Sequence, residues 1–496
     1  MAVPDPTEVA PWYLRNINQA LALNEATGNV YVRTDAEVQI ANVGNLVISN
    51  VGITSLGNVD ISGNTLPISG NVGILGNVTV VDGGGSITVD GNVNATITGG
   101  NVATTITGTN LDAFGRLRVS NPVTLFDSQN RYIDGEQFSS ITATSGNVVY
   151  VANESSFNLN VSSASGSSVI RQSKTVQAYQ PGKSLLTMNT FAMATLKANL
   201  RQRVGYFTAD NGIYFEANGT SLFLVIRSST TGVVVEERIA QASWNGNTLL
   251  AGNPSGIVLD PTLTQIFWND IEWLGVGNVR AGFVINGQFI VCHTFQHANQ
   301  PGNTTVYMTT ATLNPRYEIT NTAVTSGNST MKQICSTVIS EGGFTPSTKI
   351  GYVTNNTSAT RVGSSNTVTS LCSIRLNPSY PDAVVIPAQI DLLLLDVRYG
   401  QFQLIENATI ANASFSNVAG SVVQSAIHTD TITDGTVVYA GLNSSRDEVE
   451  IGEDIKKRLQ LWRYANGTPS TLTLAVAYTA TNADLLYKFG WEELTN

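Results

Sequence analysis

The chain has 496 residues, only 12% of them charged, with a net charge of −10. An acidic chain with no basic patch interleaved with aromatics excludes nucleic acid and acidic membrane surfaces as expected partners. The length exceeds what one hydrophobic core organises, so two or three domains are expected.

Residues 1–40 read as an arm. Pro11-Trp12-Tyr13-Leu14-Arg15 places two aromatics in this arm, and Trp12 and Tyr13 are the candidates for docking into a larger particle; folding back on the local chain is the competing reading. A short helix is expected over Asn16–Glu25, ended by Gly28. The opening residues carry no basic n-region and no apolar h-region, so export by a signal peptide is not expected.

Residues 41–110 contain no Lys, no Arg and no aromatic, and their only charges are Asp60, Asp82 and Asp90. A Gly-Asn-Val phrase recurs at Gly57, Gly70, Gly76 and Gly91, each time followed by alternating small aliphatics. Val59/Ile61, Val72/Ile74 and Val78/Val80 show the period of two that marks a half-buried strand. Gly-Asn supplies the corner, since both residues tolerate positive φ. Strands this short do not form a stable sheet alone. The spacing drifts too much for a strict single-chain solenoid. Three identical chains wound about one axis would bury these aliphatics and cover the open strand edges. The expectation is an intertwined, β-helix-like trimeric shaft with Val59, Ile61, Val72, Ile74, Val78 and Val80 at its core. A flexible Gly/Asn/Ser/Thr linker is the competing reading.

At residues 111–135 aromatics and positive charges return, and this is the expected junction of shaft and head. From residue 136 the pattern is short strands between Gly, Asn, Ser and Pro turns, with no βαβ rhythm, which implies an antiparallel β-sandwich or jelly roll. Asn218-Gly219 and Asn286-Gly287 each signal a two-residue type I′ hairpin. The first should set Phe215 opposite Leu222 and Tyr214 opposite Phe223. The second should set Phe283 opposite Ile290 and Arg280 opposite His293. The Pro-rich stretch Asn377–Pro381 is the expected boundary between a sandwich at residues 136–380 and a β subdomain, or continuation of it, at residues 381–496. There, Val384–Val397 reads as a buried strand, Arg446–Trp462 as a segment containing a short helix through Ile451, Ile455 and Leu459, and Thr471–Tyr478 and Leu485–Trp491 as closing strands. The same Val384–Val397 is the nearest approach to a membrane span, but it holds Gln389, Asp391 and Asp396, so no span is expected.

Chemistry-bearing motifs are sparse. Three widely separated cysteines, Cys292, Cys335 and Cys372, do not form a disulfide framework and suit a reducing site of synthesis. His293 and His297, on an extended segment, lie roughly 13 Å apart along the chain, too far for one metal ion, and no third ligand is near in sequence. No nucleophile elbow or phosphate loop occurs, and Gly275-Val276-Gly277 lacks the later glycine of a dinucleotide fingerprint. No catalytic residue, metal or cofactor is expected. Trp268, Asp270 and Glu272 would share one face of a strand, an aromatic-plus-carboxylate surface of the kind that contacts glycans and, in hydrolases, cleaves them. They are the candidate glycan contacts; a solvated strand face beside a structural Trp is the competing reading.

The phrases LDAFGRLRVSNPVTLFDSQNRYIDGEQF (Leu111–Phe138), GYFTADNGIYFEANGT (Gly205–Thr220), WLGVGNVR (Trp273–Arg280), ICSTVISEGG (Ile334–Gly343) and GWEEL (Gly490–Leu494) resemble a family of virion structural proteins of tailed bacteriophages, common in marine and cyanobacterial phages. The resemblance covers residues 111–496. It implies a phage particle component with a β-sandwich head, made in the host cytoplasm and located in the virion, as a fibre, spike or head decoration. Taken with the repeat, the expectation is a homotrimeric fibre held to capsid, neck or tail proteins through its N-terminal arm, with a host-surface glycan as the candidate contact. A capsid decoration protein without host contact and a tailspike polysaccharide depolymerase are the alternatives.

Overall fold

The computed structural model describes residues 21–24, 29–32, 121–132, 137–345, 347–355, 358–362, 366–395, 399–444, 446–451, 459–479 and 481–494. Trp12, Tyr13 and the six shaft-core candidates Val59, Ile61, Val72, Ile74, Val78 and Val80 lie outside the described residues. The chain divides into two units, Met1–Ala103 and Thr104–Asn496. In the first, β1 (Leu21–Asn24) and β2 (Asn29–Val32) pair antiparallel with Leu21 opposite Val32. This corrects the helix expected at Asn16–Glu25 for residues 21–24. Leu21 and Leu23 alternate with Ala22 and Asn24, and that period of two is matched across the pair by Val30 and Val32.

The second unit is all-β and antiparallel. Its described residues hold no α-helix; 3-10 turns lie at Ala152–Glu154 and Gln241–Ser243, and Leu459 is also in 3-10 conformation. Its first fifteen strands are β3 (Val123–Ser128), β4 (Phe138–Ala143), β5 (Asn147–Val151), β6 (Ser156–Val161), β7 (Ser168–Ser173), β8 (Leu185–Ala192), β9 (Leu200–Phe207), β10 (Gly212–Asn218), β11 (Ser221–Ser228), β12 (Val235–Ala240), β13 (Gln265–Ile271), β14 (Val279–Ile285), β15 (Gln288–Phe295), β16 (Pro315–Asn321) and β17 (Ser329–Ser340). They form a seven-stranded sheet, β12-β11-β10-β9-β16-β7-β4, and an eight-stranded sheet, β15-β14-β13-β8-β17-β6-β5, with β3 also on β17.

One core lies between these sheets. Phe215 on β10 meets Phe191, Phe267 and Phe283 of the opposite sheet, at ring distances of 6.1, 6.1 and 5.1 Å. All four rings are closed to solvent, and each contributes about 1.5–3 kcal/mol by its burial.

A second sandwich follows: β18 (Thr348–Thr354), β19 (Thr360–Val362), β20 (Thr369–Leu376), β21 (Val385–Leu394), β22 (Gly400–Glu406), β23 (Ser416–Asn417), β24 (Val423–Ile427), β25 (Thr436–Asn443), β26 (Arg446–Glu450), β27 (Thr471–Tyr478) and β28 (Ala483–Leu494). A five-stranded sheet, β18-β28-β21-β26 with β19 also on β28, faces a six-stranded one, β23-β24-β20-β27-β22-β25. Leu371, Ile374, Ile390, Leu404, Leu474, Phe489 and Trp491 are among the residues that fill the space between them.

The antiparallel all-β expectation for the head therefore holds, and β21 and β27 fall where the sequence placed them. The change of core comes earlier than expected, between Val338 and Val353. Asn377–Pro381 is instead part of the crossover from β20 in one sheet to β21 in the other, where a proline's missing N–H costs no ladder bond. The helix expected within Arg446–Trp462 is corrected at its start. Residues 446–450 are β26, paired with β21 from Gln389↔Glu450 to Leu393↔Arg446. Ile451 and Leu459 are both buried in the second core, and Ile455 lies outside the described residues.

The two hairpins differ in outcome. At Asn286-Gly287 both residues have positive φ, 52° and 77°, and Phe283 lies opposite Ile290. A bulge between Ala281 and Gly282 then shifts the pairing, so Arg280 faces Thr294 rather than His293. At Asn218 the turn moves on by one residue. Asn218 pairs with Ser221, and Gly219 alone carries positive φ, 64°, so Phe215 faces Leu224 and Tyr214 faces Val225. Because the slip is two places in the pairing, each side chain keeps its face.

Candidate functional site

Strand alternation sends Gln202, Val204 and Tyr206 of β9 into the first core, and therefore Arg201, Arg203, Gly205 and Phe207 to the outer face of the seven-stranded sheet. Register lines up their neighbours. One row across the sheet reads Glu318, Arg203, Glu216, Phe223; the next reads Gln172, Arg316, Gly205, Tyr214, Val225, Arg238; the next reads Phe207, Gly212, Arg227, Glu236. Gly205 is required here, since a Cβ would stand 2.6 Å from Tyr214 Cα. Phe207, Tyr214 and Val225 form a small apolar patch on this face, and the charged side chains lie over and around it.

Those charges are tied together. Arg203 Nε donates to Glu216 Oε2 at 2.6 Å, and its other nitrogens reach Glu236 at 3.1 Å and Glu318 at 3.4 Å. Arg227 binds Glu236 at 2.5 Å, Arg238 binds Glu216 at 2.9 Å and also Glu236, and Arg316 binds Glu318 at 2.5 Å. Tyr214 donates its hydroxyl hydrogen to Glu236 Oε1 at 2.7 Å. Burial opposes ionisation of Glu236, but the hydrogen bonds from Tyr214 and Arg227 and the charges of Arg203 and Arg227 bring its carboxyl down to about 2. Glu318 is lowered as well, burial being outweighed by Arg316 and Arg203. Sugar cleavage by a carboxyl pair needs one carboxyl kept protonated, and these two are held ionised. Arg201, Arg203, Arg227, Arg238 and Arg316 share this face with three glutamates, leaving it with two more positive than negative charges.

Beside this face the two sandwiches meet and enclose a cleft of about 530 Å³. The second sandwich is docked by residues 460–465. Gln460 Nε2 donates to Val176 O at 3.1 Å, Arg463 N to Lys174 O at 3.4 Å, and Ala465 N to Ser139 Oγ at 2.8 Å. The Lys174 ammonium sits 4.4 Å above the Trp462 ring, whose Nε1 donates to Glu406 Oε1 at 2.5 Å. Tyr464 packs edge-on against Trp462 at 4.7 Å and remains 38% exposed. On the first sandwich, Asn211 Nδ2 donates to Thr309 Oγ1 at 2.7 Å and Ser229 Oγ at 3.2 Å, holding two wall loops together. Gln172, Lys174, Thr208, Asp210, Asn211, Thr309, Arg316, Asp382, Trp462, Arg463 and Tyr464 are among the lining residues.

The candidate glycan contacts are not an open platform. Trp268 is buried and packs edge-on against Phe289 at 5.4 Å. Asp270 is 7% exposed, ion-paired to Arg280 and accepting a hydrogen bond from Ser184 Oγ. Glu272 lies beyond the end of β13, exposed, with its N–H given to Asn278 O at 3.1 Å. The strand carries Trp268 and Asp270 against neighbouring structure and leaves only Glu272 in solvent. The carboxyl that feels Asp270 is that of Glu341, raised by burial and by the Asp270 charge, with Arg280 pulling the other way.

His293 and His297 are also separated in role. His293 Nδ1 accepts the Asn245 N–H at 3.1 Å, while His297 stacks on Tyr307 at 3.8 Å and donates from Nδ1 to Gly277 O at 2.8 Å. Among the described residues no group of His, Cys, Asp and Glu could hold a metal ion, and no helix is long and apolar enough to cross a membrane.

No family model matches the chain, and no curated protein matches it. Several solved structures match over less than half of it. A beta-1,3-glucanase from Mycobacterium marinum is 13% identical over 44% of this chain and 98% of its own, with a TM-score of 0.29. A Bacillus licheniformis beta-glucanase is 12% identical over 43% and 96%, with a TM-score of 0.28. A Shewanella oneidensis protein of unknown function is 8% identical over 46% and 90%, with a TM-score of 0.31. Likeness at this level carries nothing about activity.

Proposed function

We propose that the chain is a bacteriophage virion structural protein, a homotrimeric fibre or spike that displays a two-sandwich head for adhesion to the host surface. The observation that carries this reading is the repeat at residues 41–110. Its alternating valines and isoleucines, with no aromatic to build a core of their own, require dry surroundings that neighbouring copies supply. The head supports it with antiparallel sandwiches whose outer-face carboxylates are neutralised by arginines and serve as stiffening. Attachment runs through the arm bearing Trp12 and Tyr13. Three heads on one shaft combine weak contacts through effective concentration.

Light scattering on the purified chain tests this directly. The expected mass is three chains of 52.7 kDa, and Val72→Asp with Ile74→Asp should yield monomer. A variant that stays trimeric would sink the shaft. Antibody labelling of particles in the electron microscope separates a tail fibre from a capsid decoration.

A second reading, polysaccharide depolymerase, draws on the Glu341 carboxyl, raised by burial and by the neighbouring Asp270, since the general acid of sugar cleavage needs a raised carboxyl. New reducing ends from host envelope glycans, lost in Glu341→Gln, would promote it over the adhesive reading.

A further inference from the structure

We propose that the cleft between the two sandwiches binds a short acidic saccharide, its carboxylate held by Lys174 and Arg463. The inference deepens the adhesive half of the proposed function by naming the class of ligand.

Charge carries the argument first. Arg463 is 9% exposed, and its Nη atoms donate to the carbonyls of Gly467, Asn377 and Tyr380 at 3.2, 2.6 and 3.1 Å. Its Nε is buried without a hydrogen-bond partner. No carboxylate among the described residues forms an ion pair with it, and Asp382 acts on it only at longer range. A buried cation satisfied by carbonyls alone lacks the counter-ion that ordinarily accompanies burial. Lys174, bonded to Arg463 through the backbone, also has no ion pair among the described residues, and its ammonium rests on Trp462. Two cations without an ion pair among the described residues therefore stand together in a chain whose net charge is −10.

The remaining lining points to a sugar rather than a bare anion. A cleft of about 530 Å³ is within the usual range for an organic ligand and far larger than one phosphate or sulfate. The Thr309 hydroxyl, exposed and held in place by one hydrogen bond from Asn211, keeps capacity for a sugar hydroxyl. Tyr464 offers a ring face at the mouth, the kind of surface on which the C–H side of a pyranose lies. Asp210 and Asp382 line the same cleft. They repel a bare anion but accept hydrogen bonds from sugar hydroxyls, so an acidic sugar uses both signs of charge present.

The experiment is calorimetric titration of the full chain with trigalacturonic acid, with its fully methyl-esterified form, and with inorganic phosphate. The acid should bind, the ester at least about tenfold more weakly, as expected for loss of a charge-assisted contact, and phosphate should not compete. Lys174→Gln and Tyr464→Ala alter half-exposed positions, and each should weaken the acid about tenfold with an unchanged melting temperature. Lys332→Gln, which touches only Glu154 at the surface, should change nothing. Equal binding of ester and acid, equal binding of phosphate, or no binding of any of the three would overturn the proposal. A particle-borne trimer indifferent to the acid would sink this inference alone, whereas acid binding by a monomer would sink only the fibre.

Discussion

Arg203 and Glu216 face each other across β9 and β10, their Nε and Oε2 atoms 2.6 Å apart, with side chains 4% and 0% exposed. Each has further partners, so the pair is the hub of the charged sheet face. Removing one side of a buried ion pair strands the other, at about 3–5 kcal/mol. Arg203→Met should lower unfolding free energy by about that amount in urea titration. A loss within the scatter of surface substitutions would mean that water reaches the pair.

Acid should weaken the protein in two stages. His293, His297 and His428 are lowered from 6.5 by burial, so the stability they lend is complete above that value and is lost as pH falls below it. Glu236 and Glu318 are lowered from 4.5, so theirs is present above 4.5 and is lost as pH falls further, toward about 2 for Glu236. Urea midpoints measured against pH should show both falls. His297→Gln should flatten the upper one and Glu236→Gln the lower.

Two glycines of one hairpin should fail differently. At Gly282, beside the bulge, a Cβ would stand 1.9 Å from Ile290 O, and Gly282→Ala should cost about 1–3 kcal/mol as overpacking. At Gly287 a Cβ meets nothing within 4 Å, but φ is +77°, so Gly287→Ala should cost about 1–2 kcal/mol through conformation alone. Replacing Gly287 with Asn, which tolerates that conformation, should recover most of the loss. Gly282→Asn should recover none.

The thiols should be sluggish. Burial pushes Cys292 up to about 12 and raises Cys372 and Cys335 too. Of the three, only Cys335 is half exposed. A thiol reagent should label at most Cys335 in the native protein at pH 8, and all three after unfolding. Rapid native labelling of Cys372 would show that the second core opens readily.

Local signals were legible and long-range assembly was not. Asn286-Gly287 specified its turn because both residues accept positive φ, and Thr471–Tyr478 reads as a strand from its own apolar run. The bulge at Ala281/Gly282 left no trace that spacing could reveal, and neither did the one-residue shift of the Asn218 turn. Trp268 and Asp270 look like a surface pair in one dimension, yet Phe289 and Arg280 arrive from the next two strands and enclose them. Lys174 and Trp462 belong to different sandwiches and carry no shared motif, so the cleft became visible only in three dimensions. The outer-face arginines of β9, β11 and β12 left a faint mark, a charged residue at alternate positions of otherwise apolar strands, that a search for polar residues on buried strands could have found.

The order β18-β28-β21 has a consequence for biosynthesis. β28 is made after both of its neighbours yet lies between them, so β18 and β21 wait on the ribosome with their facing edges unmatched. A message read only as far as Ala483 would give a polypeptide with one closed layer pair and one gaping one, a ready target for proteases.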